Sequence, residues 1–308
     1  MYGKVLIPLD GSAFAERVQA HLQPLIVPGE TELILLRVVE PLSYSVSPEA
    51  FAAMGGMDEA LRWDEAKVYL DGVRGEWREL GFRTHMEVSG GEVATAIARS
   101  AEVHGADLIA ITTHGRSGLG RWAYGSVADR VIRSATQPIF LVRGTSEVPP
   151  ERTIRRILVP LDGSELAEMA LEPAKSMAKE MGAEILLVRA VAPLSETEVA
   201  ALYTGWGSAD EVYSRRQTAA TQYLGRVQRD LKAEGLKGAT FVDEGHPAQV
   251  IVETEASHEA DMVVMSTHGR SGVARWVYGS VADKVLRRAQ SPLLLVRSLP
   301  GEAAPPDD

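Results

Sequence analysis

A glycine-punctuated loop that runs into a helix start can hold phosphate, because its backbone N–H groups converge on an anion. Residues 112–126 carry that pattern, as Thr112, Thr113, His114, Gly115, Arg116 and Gly118 followed by Gly125-Ser126. Gly115 and Gly118 permit positive φ and close backbone approach. Gly125-Ser126 opens a predicted helix whose first N–H groups lack intrahelical partners, and the helix dipole adds partial positive charge there. Ser126 offers a hydroxyl, while Arg116 and Arg121 offer charge-assisted bonds. A plainer reading stands beside this one. Ser126 would be an N-cap, with Asp129 completing a Ser-x-x-Asp capping box, and the arginines would be solvated surface charges.

The second chemical feature is an aspartate at a predicted strand end. Asp10, in Leu9-Asp10-Gly11-Ser12, and its counterpart Asp162 lie where a ribose or an adenine would sit. Asp-Gly-Ser is also ordinary turn chemistry that caps a following helix. His114 and His268 lack an evident nucleophile or orienting carboxylate, so they read as backbone-positioning residues. Trp122 with Tyr124, and Trp276 with Tyr278, read as packing. The chain has no Gly-x4-Gly-Lys-Ser/Thr phosphate loop and no Cys/His metal cluster. Ser89-Gly90-Gly91-Glu92 follows the third predicted strand and is set aside as a site.

The loop occurs twice. Residues 113–130 return as 267–284, with 14 of 18 positions identical at an offset of 154. The second set of chemical residues is therefore Ser266, Gly269, Arg270, Gly272, Gly279 and Ser280. Residues 5–12 likewise match 157–164 at an offset of 152, residues 33–38 match 185–190, and 137–143 match 291–297. A unit of about 150 residues is too long for a solenoid repeat, so each copy reads as a whole domain. The boundaries expected are 1–147 and 153–300, with a polar, Pro-rich linker at 144–153 and a disordered tail at 301–308.

The loops must be held by a scaffold, and the apolar pattern supplies it. Strands are predicted in the first copy at 4–9, 32–39, 83–88, 108–112 and 139–142. Helices are predicted from Ser12, over 58–80, over 92–104 and over 126–135. Continuous apolar runs such as Leu33-Ile34-Leu35-Leu36 suit strands buried on both faces. Strand–helix alternation implies a parallel sheet with helices on both faces, an α/β architecture. The stretch 41–57 and its counterpart 193–207 read as irregular excursions that lid the site.

Composition is that of a globular protein: 45% hydrophobic and 24% charged residues in 308, without cysteine. Net charge is −10, and residues 1–148 and 149–308 each contribute −5. That balance argues against nucleic acid as a partner. No apolar run reaches the roughly 20 residues that cross a bilayer, and the first ten residues read as a strand rather than a signal peptide. The expected location is cytoplasmic, away from membranes.

Taken together these residues resemble the universal stress protein family, over nearly the whole chain and as two tandem domains. The family signature Gly-x2-Gly-x9-Gly-Ser/Thr is met from Gly115 to Gly125-Ser126 and from Gly269 to Gly279-Ser280. Its first glycine is Thr112 in one copy and Ser266 in the other. The resemblance implies two Rossmann-like domains of the adenine nucleotide alpha hydrolase-like type, each an open five-stranded parallel sheet of order 3-2-1-4-5. It implies ATP, with or without Mg2+, bound through the backbone near Val38 and through Asp10, with the phosphates on Gly115, Gly125 and Ser126. Ala190, Asp162, Gly269, Gly279 and Ser280 are the second set. It also implies association through the last strands, 138–143 with 292–297 within the chain, and a possible homodimer. The function expected is that of a stress-linked ATP sensor with at most weak ATPase activity. The alternative is an interaction protein whose loops hold no nucleotide. Because Ser266 is smaller than Thr112, the second copy is expected to bind more tightly.

Overall fold

The computed structural model describes residues 2–41, 57–113, 125–143, 153–203, 208–267 and 279–297. The chain divides into two units, Met1–Arg152 and Thr153–Asp308. In the first, β1 (Lys4–Pro8), β2 (Glu32–Val39), β3 (Arg83–Gly90), β4 (Leu108–Thr112) and β5 (Ile139–Val142) form a parallel sheet of order β3-β2-β1-β4-β5. In the second, β6 (Arg156–Pro160), β7 (Glu184–Val191), β8 (Lys237–Glu244), β9 (Met262–Ser266) and β10 (Leu293–Val296) repeat it as β8-β7-β6-β9-β10.

The apolar runs account for this layering. Leu33 to Leu36 and all of β4 are buried, so both sheet faces must be covered. Right-handed crossovers decide which helix covers which face. The β2-to-β3 connection steps outward in one direction, and the β3-to-β4 connection returns across β2 and β1. Equal handedness then places helices Met57–Glu79 and Val93–His104 on opposite faces. Helix Met57–Glu79 packs on β2 and β3, and Val93–His104 packs against β2 and helix Ser126–Ser134. In the second unit, helix Ala209–Ala233 packs on β7 and β8. Its buried residues Ala220, Tyr223, Leu224, Val227 and Leu231 fall at helical spacing.

The predicted strands and helices form, with local differences. β1 stops at Pro8 and β3 continues to Gly90. The helix expected from Ser12 is broken into Ala13–Glu16, Val18–Leu22 and a 3-10 turn, Gln23–Leu25, which carries Pro24. Proline has no N–H for an α-helical bond, and its ring crowds the preceding turn. The segment 193–207 is not wholly irregular, because it holds helix Glu196–Tyr203. Its counterpart at 42–56 lies outside the described residues.

Candidate functional site

The strand order reverses between β1 and β4, and between β6 and β9. That is where an open parallel sheet leaves a crevice at the strand carboxyl ends. Asp10 follows β1 and Thr112 ends β4, so the first two sequence motifs flank one crevice. Asp162 and Ser266 do the same in the second unit. There the crevice is a cleft of about 730 Å3, lined by Asp162, Ala190, Ser266, Gly279 and Ser280 among others. Those are five of the eight second-copy residues singled out from sequence. Ligand pockets commonly measure about 300–1,000 Å3. The other three, Gly269, Arg270 and Gly272, lie outside the described residues, as do Gly115, Arg116 and Gly118. Arg121 and the His, Trp and Tyr residues of both loops lie there too.

Each aspartate adopts the turn its sequence suggests. Asp10 Oδ1 accepts from the Ser12 N–H at 2.9 Å and from the Ser12 hydroxyl at 2.5 Å. Asp162 repeats this with Ser164 at 2.9 and 2.6 Å. Ser12 and Ser164 then cap the following helices, accepting from Ala15 and Ala167, each at 3.2 Å. Gly11 and Gly163 sit at φ 76° and 87°, a backbone region costly to residues with a Cβ. The turn and the ligand reading are compatible, since the same turn sets the carboxylate at the mouth of the crevice.

At the helix start the structure corrects the capping-box reading. Ser126 is the first helical residue and Gly125 is the cap. The Asp129 N–H bonds the Gly125 carbonyl at 3.1 Å, and the Asp129 carboxylate pairs with Arg133 one turn on, at 3.0 Å. Gly279, Ser280, Asp283 and Arg287 repeat the arrangement. Gly125 is required by close approach. Its N–H donates to the Thr113 carbonyl at 2.8 Å, and a Cβ there would stand 2.5 Å from that oxygen. Gly279 makes the same 2.8 Å bond to Thr267, yet a Cβ would clear that oxygen at 3.5 Å. These bonds draw the helix N-termini onto the ends of β4 and β9, and in the second unit the residues from Gly279 to Ala282, whose first N–H groups lack intrahelical partners, line the cleft.

Sequence reasoning missed several cleft residues. Arg216, on helix Ala209–Ala233, and Glu198, on helix Glu196–Tyr203, form an ion pair at the cleft wall. Arg216 also donates to the Ala192 carbonyl at 3.2 Å, as Arg62 does to the Glu40 carbonyl at 2.9 Å. The Ser195 N–H and hydroxyl, together with Arg216, hold the Glu198 carboxyl below its ordinary range. A second set recurs in both units. Arg37 donates to the Leu9 carbonyl at 3.2 Å, and the Tyr69 hydroxyl donates to Glu16 at 2.9 Å. In the second unit the Arg189 guanidinium lies 4.9 Å from the Tyr223 ring centroid, and the Tyr223 hydroxyl donates to Glu168 at 2.7 Å. Burial pushes both phenols up from the ordinary tyrosine value. The bonds to Glu16 and Glu168 add to this, and the arginines oppose it. The signal was present in the repeat, because Arg37 and Arg189 fall inside the matched runs 33–38 and 185–190.

Fold and cleft together define a tandem pair of doubly wound α/β domains with a crevice at the switch point of each sheet. A model of the universal stress protein family matches residues 1–143 and 153–297, and the chain belongs to that family. A universal stress protein of Mycobacterium tuberculosis is 27% identical over 192 residues, and the match spans 62% of each chain. One from Mycolicibacterium smegmatis is 22% identical over 302 residues, spanning 96% of this chain and 97% of the relative. A universal stress protein structure from Archaeoglobus fulgidus superposes with a TM-score of 0.69 at 20% identity, covering 96% of both chains. That likeness extends the shared fold across both units.

Proposed function

We propose that both units bind adenine nucleotide, ATP in particular, and that the chain serves as a stress-response nucleotide sensor. The observation that carries the proposal is the single cleft lined by Asp162, Ala190, Ser266, Gly279 and Ser280. Asp162 and the backbone at Ala190 take the base and ribose. The N-terminus of helix Ser280–Arg288 takes the phosphates, because its free N–H groups and dipole favour anions. Asp10, Val38, Thr112, Gly125 and Ser126 have the same roles in the first unit. Gly115, Arg116, Gly118, Gly269, Arg270 and Gly272 complete the phosphate cradles, and Mg2+, where present, arrives with the phosphates.

Calorimetric titration with ATP and Mg2+ tests this. A second protein carries Ser126→Glu with Ser280→Glu. A carboxylate in the first helical turn favours the helix dipole, so the fold is kept while phosphate is repelled. The wild type is expected to bind, and the variant is expected to lose binding at an unchanged melting temperature. Absence of heat at millimolar ATP overturns the proposal, as does a variant that binds like the wild type. The second reading is an interaction protein without nucleotide. Thr112 and Ser266, where the family pattern has glycine, favour it, and a silent wild type would decide for it. Phosphate release in the same mixtures would add slow ATPase activity.

A further inference from the structure

One arrangement appears in both units and grips the loop that carries the candidate aspartate, and its arginine in the second unit, Arg189, also lines the cleft. The loop Leu9-Asp10-Gly11-Ser12 is gripped from two sides. The Leu9 N–H bonds the Leu36 carbonyl at 2.8 Å, which continues the β1–β2 ladder one residue past the strand. The Leu9 carbonyl, next to Asp10, accepts from Arg37 at 3.2 Å. Beyond the loop, Glu16 ends the short helix that Ser12 caps, and Tyr69 from the long helix bonds it. In the second unit the Leu161 N–H bonds the Val188 carbonyl at 2.9 Å. Arg189 packs under the loop, with Nη1 3.1 Å from where a Cβ on Gly163 would stand. Tyr223, with Arg189 over its ring, bonds Glu168. An Arg at the end of the second strand, a Tyr on the long helix and a Glu after the loop thus recur across a duplication that has changed many other residues. A guanidinium fork can bond a carbonyl and lie on an aromatic face at once, which an ammonium does poorly.

We infer that Arg37 and Arg189 are positioning residues for the ligand. Each holds the Asp-Gly-Ser loop of its unit in one conformation, so that Asp10 and Asp162 meet the bound nucleotide at a fixed place. The inference rests on the nucleotide-binding reading. It adds that the affinity contributed by the aspartate depends on an arginine that does not itself need to touch the nucleotide.

The test uses the full chain with unit one silenced by Ser126→Glu, so that titration reads unit two alone. In that background ATP affinity is measured for Arg189→Met, Asp162→Asn and the pair, with melting temperatures alongside. Each single change is expected to weaken binding about tenfold, as for loss of a hydrogen bond to a charged group. The pair should be no weaker than Asp162→Asn alone, because Arg189 acts through Asp162. Losses that multiply in the pair would mark a merely structural role and overturn the inference, as would an Arg189→Met protein that binds like its background. Arg189→Lys serves if the methionine variant fails to fold, and it should lose affinity while keeping the charge. A ligand-free reading separates this failure from failure of the nucleotide proposal. Hydrogen exchange of the Ser164 N–H, held by Asp162, should speed up in Arg189→Met and Arg189→Lys. Unchanged exchange overturns the inference whether or not ATP binds. If the background binds no ATP, the nucleotide reading falls and takes the ligand role with it.

Discussion

Thr112 and Ser266 end equivalent strands beside equivalent helix starts, and both residues are buried. They differ by one methyl group at a place where the family pattern has none. Crowding a packed site costs about 1 kcal/mol or more, which is roughly fivefold in an equilibrium. Ser266→Thr should therefore weaken ATP binding in unit two roughly fivefold, and Thr112→Ser should strengthen it in unit one. Titration of each against a background silenced in the other unit checks this. Equal affinity of the two wild-type units would count against it. Glu92 is a residue-scale device of another kind. It caps helix Val93–His104, accepting from the Ala94 and Thr95 N–H groups and the Thr95 hydroxyl, and it pairs with Arg130 at 2.8 Å. Desolvation raises its carboxyl, but the Thr95, Ala94 and Arg130 bonds outweigh that and bring it from 4.5 to about 2. A carboxyl lowered on folding adds stability above its unfolded value and loses it as pH falls through the folded value. Glu92→Ala should thus cost about 1 kcal/mol at neutral pH. The gap to the wild type should close between about pH 4.5 and about pH 2. Denaturant melts at several pH values measure it.

At the scale of elements, packing of the long helices on the sheets decides what reaches the cleft. Trp77 is 1% exposed on helix Met57–Glu79 and meets Phe82 edge-on at 5.3 Å. Trp77→Ala should destabilise the protein by about 3–5 kcal/mol, read from the denaturant midpoint. An effect below about 1 kcal/mol would mean that the helix is not held by this contact. The strands were legible because apolar runs such as 33–36 leave few alternatives. Asp162, Ser266, Gly279 and Ser280 were legible because the repeat marks them and they sit at strand ends or a helix start. Arg216 and Glu198 were not. They enter the cleft through the packing of helices that lie more than thirty residues from either sequence motif. The plainer reading of Ser126 as an N-cap does not hold, because Ser-x-x-Asp satisfies the capping-box pattern only locally while Gly125 is the cap. The Gly125 bond to the Thr113 carbonyl is a tertiary contact and shifts the helix start by one residue. The single helix expected after Ser12 ends in a 3-10 turn for a local reason, Pro24, whereas its earlier break at Arg17 lies seven residues upstream of that proline and recurs at Met169–Ala170 in the second unit.

At the scale of the whole molecule, duplication gave two units of one topology and two sets of candidate site residues that differ only at Val38/Ala190 and Thr112/Ser266, while other positions have diverged. Unit one keeps a cap in Glu92 where unit two has His246 without a side-chain cap, followed by Pro247. Unit two has Ser266 where unit one has Thr112. Among the described residues no helix is long and apolar enough to cross a membrane. A tandem sensor of the kind proposed would report nucleotide over a wider concentration range than one site does, provided that its two affinities differ as expected from Thr112 and Ser266. The most direct measurement is a calorimetric ATP titration of the unmodified chain, analysed for stoichiometry. The expected result is two ATP per chain in two affinity classes, with the tighter class lost on Ser280→Glu and the weaker on Ser126→Glu. A titration without heat at millimolar ATP, or one untouched by both substitutions, would contradict the nucleotide-binding account.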